Sequence, residues 1–333
     1  MKEFDLTSAV YGVWRGDDVV AVGAAGQSPI GHPTTVDMQL RIGQPMEPML
    51  STVLFLLEKD GVLKQDEPIA KWLPDFPRAD KITPKMLADS TSGISDYVTN
   101  PDFLKEFEAN PIREYTSADL ITWANARPPV FEPGTGWAYA HSDLVVLGEV
   151  LEKASGKSLG DLIKTRILDP LGMKDSKVVL TPQMTGSYLH GYTNERGFFE
   201  DSTFWNPTAF RHSGNMNTTV ADVATWVRAL MDGKLLGKDQ FTAMMGPSTA
   251  GLGPLTKDKY FAYGTFHFGD WIIMNPAYGG YHGVVYYNTK TKLLIIVYVT
   301  LGAHTPNAEV DNALPLGQAI GKLLAPSNPP PTL

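Results

Sequence analysis

Two short Val-rich runs, Ala9 to Trp14 and Val19 to Ala24, flank Arg15-Gly16-Asp17-Asp18, and this spacing predicts a β-hairpin at the start of a sheet. A Gly- and Pro-containing loop through Gly26 to Thr35 leads to Met38-Gln39-Leu40-Arg41-Ile42. An apolar helix then opens at Gly43-Gln44-Pro45-Met46-Glu47-Pro48-Met49-Leu50 and runs through Ser51 to Leu57 towards Gly61. Further on, Ser117-Ala118-Asp119-Leu120 carries a helix start, with Leu120, Ile121 and Trp123 as a short apolar face. Leu144, Leu147, Val150 and Leu151 place a hydrophobic stripe on a helix from Leu144 to Ala154. Another helix passes through Trp226 to Met231 and stops at Gly233.

The period changes at Tyr260. Tyr260 to Phe268, Trp271 to Met274, Val284 to Asn288 and Leu293 to Thr300 are β-rich runs separated by turns of Gly, Asn and Lys-Thr-Lys, which predicts an antiparallel sheet. Ala313 to Leu324 reads as a closing helix and Pro326 to Pro331 as a solvated tail. Strands, a long helical insert, then strands and a helix predict an α/β plus all-α fold, an antiparallel sheet flanked by helices against a helical domain. The expected division is 1–45 with 250–325 as the sheet domain, 46–249 as the mainly helical domain and 326–333 as the tail. The cleft between the two is the natural ligand site.

Composition narrows the function classes. Of 333 residues, 43% are hydrophobic and 19% charged, which is ordinary for a globular chain. A net charge of −8 with no basic run argues against nucleic acid as a partner, since phosphate binding relies on clustered Lys and Arg. No apolar run approaches the ~20 residues that a membrane-spanning helix needs. The absence of cysteine removes disulfides, thiolate metal sites and Cys nucleophiles. The N-terminus lacks the basic and then apolar build of a signal peptide, but export after removal of a leader and a cytoplasmic life both remain open.

Arg41-Ile42-Gly43 and Pro48-Met49-Leu50 flank the opening of the central helix. Gly61-Val62-Leu63-Lys64-Gln65-Asp66-Glu67-Pro68-Ile69 follows it, then Ile82-Thr83-Pro84-Lys85-Met86-Leu87-Ala88-Asp89-Ser90-Thr91-Ser92-Gly93, Pro133-Gly134 to Asp143, and Ile167-Leu168-Asp169-Pro170-Leu171-Gly172-Met173. In this order the segments resemble, over roughly the whole chain, the serine β-lactamase and penicillin-binding-protein superfamily, in its class C β-lactamase, esterase and D-aminopeptidase branch. The resemblance implies the serine β-lactamase-like fold. It also implies a Ser-x-x-Lys at the helix start, whose Ser is acylated and whose Lys helps take its proton. Here those two positions read Gln44 and Glu47, and no serine elsewhere has Lys three residues later. The family's second motif, Tyr-Ser-Asn, falls on Tyr139-Ala140-His141. Its third, Lys-Thr-Gly or His-x-Gly, falls on Ala277-Tyr278-Gly279.

Glu47 therefore has two readings. Glu three residues after a polar residue, with Pro between them, fits a helix-capping arrangement. A carboxyl facing an apolar cleft would instead have its pKa raised by desolvation and could act as a general base. Tyr139 is the candidate proton donor or substrate anchor, and His141 a candidate partner for Glu47. Gln44 is an expected amide contact to ligand. Trp137 and Trp205 are expected to rim the cleft, with His212, Tyr278, Tyr281 and His282 in segments bordering it. Glu47, His141, His212 and His282 include zinc-ligand types, but no His-x-x-x-His or similar spacing joins them, so neither metal nor cofactor is expected. An aromatic-lined, mildly acidic cleft favours a neutral or cationic apolar small molecule. Non-covalent acid/base chemistry, a serine hydrolase using Ser142 or Ser213, and a binding protein without turnover are the three functions weighed; oligomeric state is not readable.

Overall fold

The computed structural model describes residues 2–305 and 311–332. Strands β1 (Leu6–Arg15) and β2 (Asp18–Gly26) form the expected hairpin, turning at Gly16 with φ +59°. The C-terminal third supplies β3 (Lys259–Ala262), β4 (Thr265–Phe268), β5 (Trp271–Met274), β6 (Tyr281–Asn288) and β7 (Leu293–Leu301). They join in the order β2-β1-β7-β6-β5-β4-β3, all antiparallel, and the short strand Ala277–Tyr278 pairs with the start of β6.

Strand β7 shows how the sequence places the core. Ile295, Val297 and Val299 point to one face and Leu294, Ile296 and Tyr298 to the other, all buried. A strand apolar on both faces needs cover on both sides. Helix α4 (Leu314–Leu324) lies on the first face, and α3 (Val220–Met231) lies against β1 and β7 on the second. Helix α3 thus sits on the sheet although it falls within the segment read as helical domain.

The remaining insert consists of helices joined by long loops and of two small sheets, one pairing Met216–Thr218 with Lys177–Val178 and with Leu40–Arg41 from before the insert, the other joining Tyr192–Thr193 and Glu200–Asp201. At its centre is α1 (Glu47–Lys59), in which Met49, Leu50, Val53, Leu54, Phe55 and Leu57 are all buried. Such all-round burial marks a core helix, and each large side chain withdrawn from water contributes about 1.5–3 kcal/mol. Gly61, at φ +73°, supplies the left-handed residue just past its end. Helix α2 (His141–Ser155) crosses α1.

The tail departs from expectation in part. Pro326 to Pro329 are exposed as expected, but the tail is anchored on α4 and β5: the Trp271 indole donates to the Asn328 carbonyl at 3.3 Å and the Gln318 amide to that of Pro331 at 3.1 Å. Pro330 is buried where Gly321 has no side chain to block it. An apolar, proline-rich segment gains more from that groove than from water.

Candidate active site

Gly43 ends the lead-in strand at φ +61°, a conformation natural to glycine, and a Cβ there would lie 2.3 Å from Cβ of Pro276. Gly214 is equally tight, since its Cβ would come within 2.9 Å of Gly43 Cα. The backbone of the turn is pinned as well. The Tyr298 hydroxyl donates to the Ile42 carbonyl at 2.9 Å and the Trp226 indole to that of Pro45 at 2.9 Å. A one-turn 3-10 helix, Gln44–Met46, leads directly into α1.

Neither polar side chain of this turn caps the helix. Gln44, 7% exposed, accepts the Asn275 backbone N–H on Oε1 at 2.7 Å, and its Nε2 has no partner among the described residues. Glu47, 1% exposed, accepts a short hydrogen bond from the Tyr139 hydroxyl on Oε1, while Oε2 has no partner among the described residues. The capping reading of Glu47 is therefore replaced by a contact with Tyr139, 92 residues further along the chain.

Burial pushes the Glu47 carboxyl well above the usual carboxylate range. The Tyr139 bond pulls it part of the way back and the nearby Asp96 charge pushes it up. The Tyr139 phenol is also held well above its ordinary value, first by burial and then by Glu47.

His141, the first residue of α2, does not reach Glu47 with a hydrogen bond. Its Nδ1 lies 3.1 Å from Asp96 Oδ2 and its backbone N–H donates to Oδ1 at 3.2 Å, while its ring meets that of Tyr139 edge-on at 5.0 Å. Asp96 was not singled out in the sequence. It precedes the short 3-10 turn Tyr97–Thr99, which it caps, and only packing brings that turn to the start of α2.

Gln44, Glu47, Tyr139 and His141 line a cavity of about 590 Å³ together with Trp137 and Tyr278, with Asp96 behind the wall. Trp137 tilts against Phe261 and stands edge-on to Phe266, and Tyr278 is edge-on to Phe210 at 4.9 Å. Phe210, Phe266 and Asn275 are site residues that sequence reading missed; the break from the Trp271–Met274 strand into Asn275-Pro276 was the available signal.

Four expected pocket residues lie elsewhere. Trp205 is core, edge-on to Phe107 and packed under Gly279, because aromatic burial outweighs loop position. Tyr281 points away to donate to the Leu189 carbonyl at 2.6 Å. His282 is buried in β6, where its Nδ1 accepts the Asn312 N–H at 3.1 Å. His212 sits against Gly148 on the side of α2 that borders a separate cavity.

Of the two serines considered as nucleophiles, Ser142 is buried outside the cavity, accepting from Tyr97 N and donating to the Ser95 carbonyl at 2.6 Å. Ser213 lines the cavity, but its hydroxyl donates to the Phe210 carbonyl at 3.1 Å. Among the described residues, Lys259 is the cation at the cavity wall closest to solvent, 5.4 Å over the Phe268 ring.

Several known proteins are similar to this chain. Penicillin-binding protein 4* of Bacillus subtilis is 30% identical over 164 residues, 48% of this chain and 36% of that protein. Esterase EstB of Burkholderia gladioli is 29% identical over 188 residues, 53% of this chain and 48% of that protein. The chain thus spans about half or less of these curated relatives. Among solved structures, a D-stereospecific amidohydrolase from Streptomyces sp. superposes with a TM-score of 0.80 at 25% identity, covering 89% of this chain and 90% of that one. The D-amino acid amidase of Ochrobactrum anthropi shares the fold with a TM-score of 0.81 at 21% identity, covering 97% and 95%. A family model described as Beta-lactamase matches residues 1–319, and the chain belongs to that family.

Proposed function

We propose that this chain is a β-lactamase-fold protein that works without a serine nucleophile, holding a small apolar molecule in the cavity and moving protons with Glu47. The observation that carries the reading is the Glu47 carboxyl, buried against the Tyr139 hydroxyl at the wall of an aromatic cavity. Gln44 supports it from the other side. Its amide oxygen occupies the Asn275 N–H, a backbone donor in a place where a ligand carbonyl would otherwise compete for it.

The chemistry follows from the proton inventory. Protonated, Glu47 can donate from Oε2 to a ligand oxygen; ionised, the same atom can take a proton from carbon or water. A carboxyl raised above its usual range suits proton transfer near neutral pH better than an ordinary one. Tyr139 keeps Oε1 occupied and so directs exchange to Oε2. The cavity volume falls within the range typical of small-molecule sites, and its aromatic walls favour a flat apolar ligand.

A probe that asks only for a base tests this without knowledge of the natural substrate. In 5-nitrobenzisoxazole, removal of the ring C–H proton breaks the N–O bond and releases a coloured phenolate. The native chain is expected to accelerate this ring opening, and Glu47→Gln to reduce the acceleration by roughly 10²-fold or more. Equal rates in the two would remove Glu47 from the chemistry and leave a binding protein.

The relatives, an esterase among them, favour a second reading in which another hydroxyl such as Ser213 is acylated. Intact mass after incubation with a fluorophosphonate separates the two. The proton-transfer reading predicts no adduct, whereas a stoichiometric one would establish hydrolysis through a serine.

A further inference from the structure

Away from that cavity, α2 carries Glu149 and Glu152 one helical turn apart, and His212 packs against the same helix. The packing is close enough to dictate a residue type. A Cβ at Gly148 would lie 2.5 Å from two atoms of the imidazole, so only glycine lets the ring reach the helix.

The three side chains bring one ligand atom each within 4.8 Å of one another, and no other set of this kind occurs among the described residues. Their hydrogen bonding is incomplete in a particular way. His212 is 2% exposed, yet its Nδ1 has no partner among the described residues. Its Nε2 stands 3.8 Å from Glu149 Oε1, beyond hydrogen-bond reach, and 3.4 Å from the Ser117 hydroxyl. Two atoms bound to one tetrahedral zinc lie roughly 3.3 Å apart, so the 3.8 Å ion-pair distance between His212 Nε2 and Glu149 Oε1 needs only a small closure for both to share a cation.

Two of the three groups are also held in place from outside. The Leu159 N–H donates to Glu152 Oε1 at 2.7 Å. The His212 N–H donates to Asn215 Oδ1 at 2.7 Å, and Asn215 in turn donates to the Val179 carbonyl at 2.8 Å. Glu152 and His212 open on a cavity of about 830 Å³, which offers an entry path. Lys164, Lys174, Lys177 and Arg211 line the same cavity along with Asp161 and Asp169, and Lys164 is paired with Asp169, so the negative charge that a cation would meet is confined to the Glu149 and Glu152 carboxyls beside the imidazole.

We propose that Glu149, Glu152 and His212 form a divalent-cation site of the zinc type, with one imidazole and two carboxylates as protein ligands and water from the cavity completing the shell. Its role is structural. Helix α2 begins with His141, and the segment containing His212 also carries Phe210, Ser213 and Gly214, which line the active cavity. A cation clamps one to the other and braces that wall. The site stands on observations independent of Glu47.

The test uses the full chain, dialysed against a chelator and then into chelator-free buffer, titrated calorimetrically with ZnCl2 and melted with and without it. One zinc is expected per chain, with a melting temperature raised by several degrees, because a ligand that binds only the folded state stabilises it. Glu152→Gln, at a half-buried position, should weaken binding by about 100-fold or more while leaving the zinc-free melt nearly unchanged. Gly148→Ala should weaken it as well by displacing the ring; circular dichroism shows whether that variant folds, and if it does not, Glu152→Gln decides alone. Asp201→Asn, which alters the separate His190–Asp201 pair, should bind zinc as the native chain does. The site is overturned by the absence of saturable binding, by binding that survives Glu152→Gln, or by binding lost in Asp201→Asn instead.

Discussion

The Glu47 carboxyl sits between two influences of opposite sign, and each can be removed singly. The Tyr139 hydroxyl bond lowers its pKa, so Tyr139→Phe should raise it and move the pH midpoint of base-catalysed ring opening to higher pH. Asp96 raises it through its charge, so Asp96→Asn should move the same midpoint lower. Rate–pH profiles of the two variants measure both shifts, and parallel movement would mean that Glu47 is not the titrating base. At this scale the sequence was legible where motif text carried it: Gln44, Glu47, Tyr139 and His141 all reach the cavity wall. It was opaque for Asp96, whose place depends on a turn meeting a helix start from 45 residues away. It misled for Trp205 and Tyr281, because an aromatic ring near a motif goes where it can be buried, and here that is the core.

Helix α1 and the turn before it tie the sheet to the cavity wall. Gly43→Ala would meet Pro276 and force a β-carbon into a left-handed backbone, costing on the order of 1–3 kcal/mol. Because Asn275 precedes Pro276, the same change should loosen the Gln44–Asn275 bond, and denaturant melts read the cost directly. Leu54→Ala, in the fully buried part of α1, should cost about 2–5 kcal/mol through the cavity it leaves. The hairpin, α1, α2 and the last strands follow from local runs and spacings of apolar residues, α2 as a stripe on one face and α1 and β7 as segments buried all round. The docked tail does not, because a Pro-rich run has no period and its groove combines α4 with β5, whose Trp271 lies 57 residues before its partner Asn328.

Over the whole molecule, buried carboxyls set the response to pH. Burial raises Glu47, Asp89 and Asp143, and lifts Asp311 from 3.8 to about 7. A raised folded pKa means that the native state holds the proton more tightly than the unfolded chain, so the stability it contributes is full below the unfolded pKa and lost as pH rises through the folded one. For Asp311 that window runs from 3.8 to about 7. Melting temperature should therefore fall from mildly acidic to neutral pH, and Asp311→Asn, which keeps an acceptor for the Ala313 N–H, should flatten the fall. The layout of strands, helical insert and strands was readable from the change of period at Tyr260, whereas the seating of α3 on the sheet was not, since its apolar face fits either partner.

Selective 13C labelling of glutamate carboxyls, followed by NMR from acidic to alkaline pH, tests the account most directly. One resonance should titrate well above the others, vanish in Glu47→Gln and move higher still in Tyr139→Phe. If no glutamate titrates above the ordinary value of about 4.5, Glu47 is a plain carboxylate and the proton-transfer function falls.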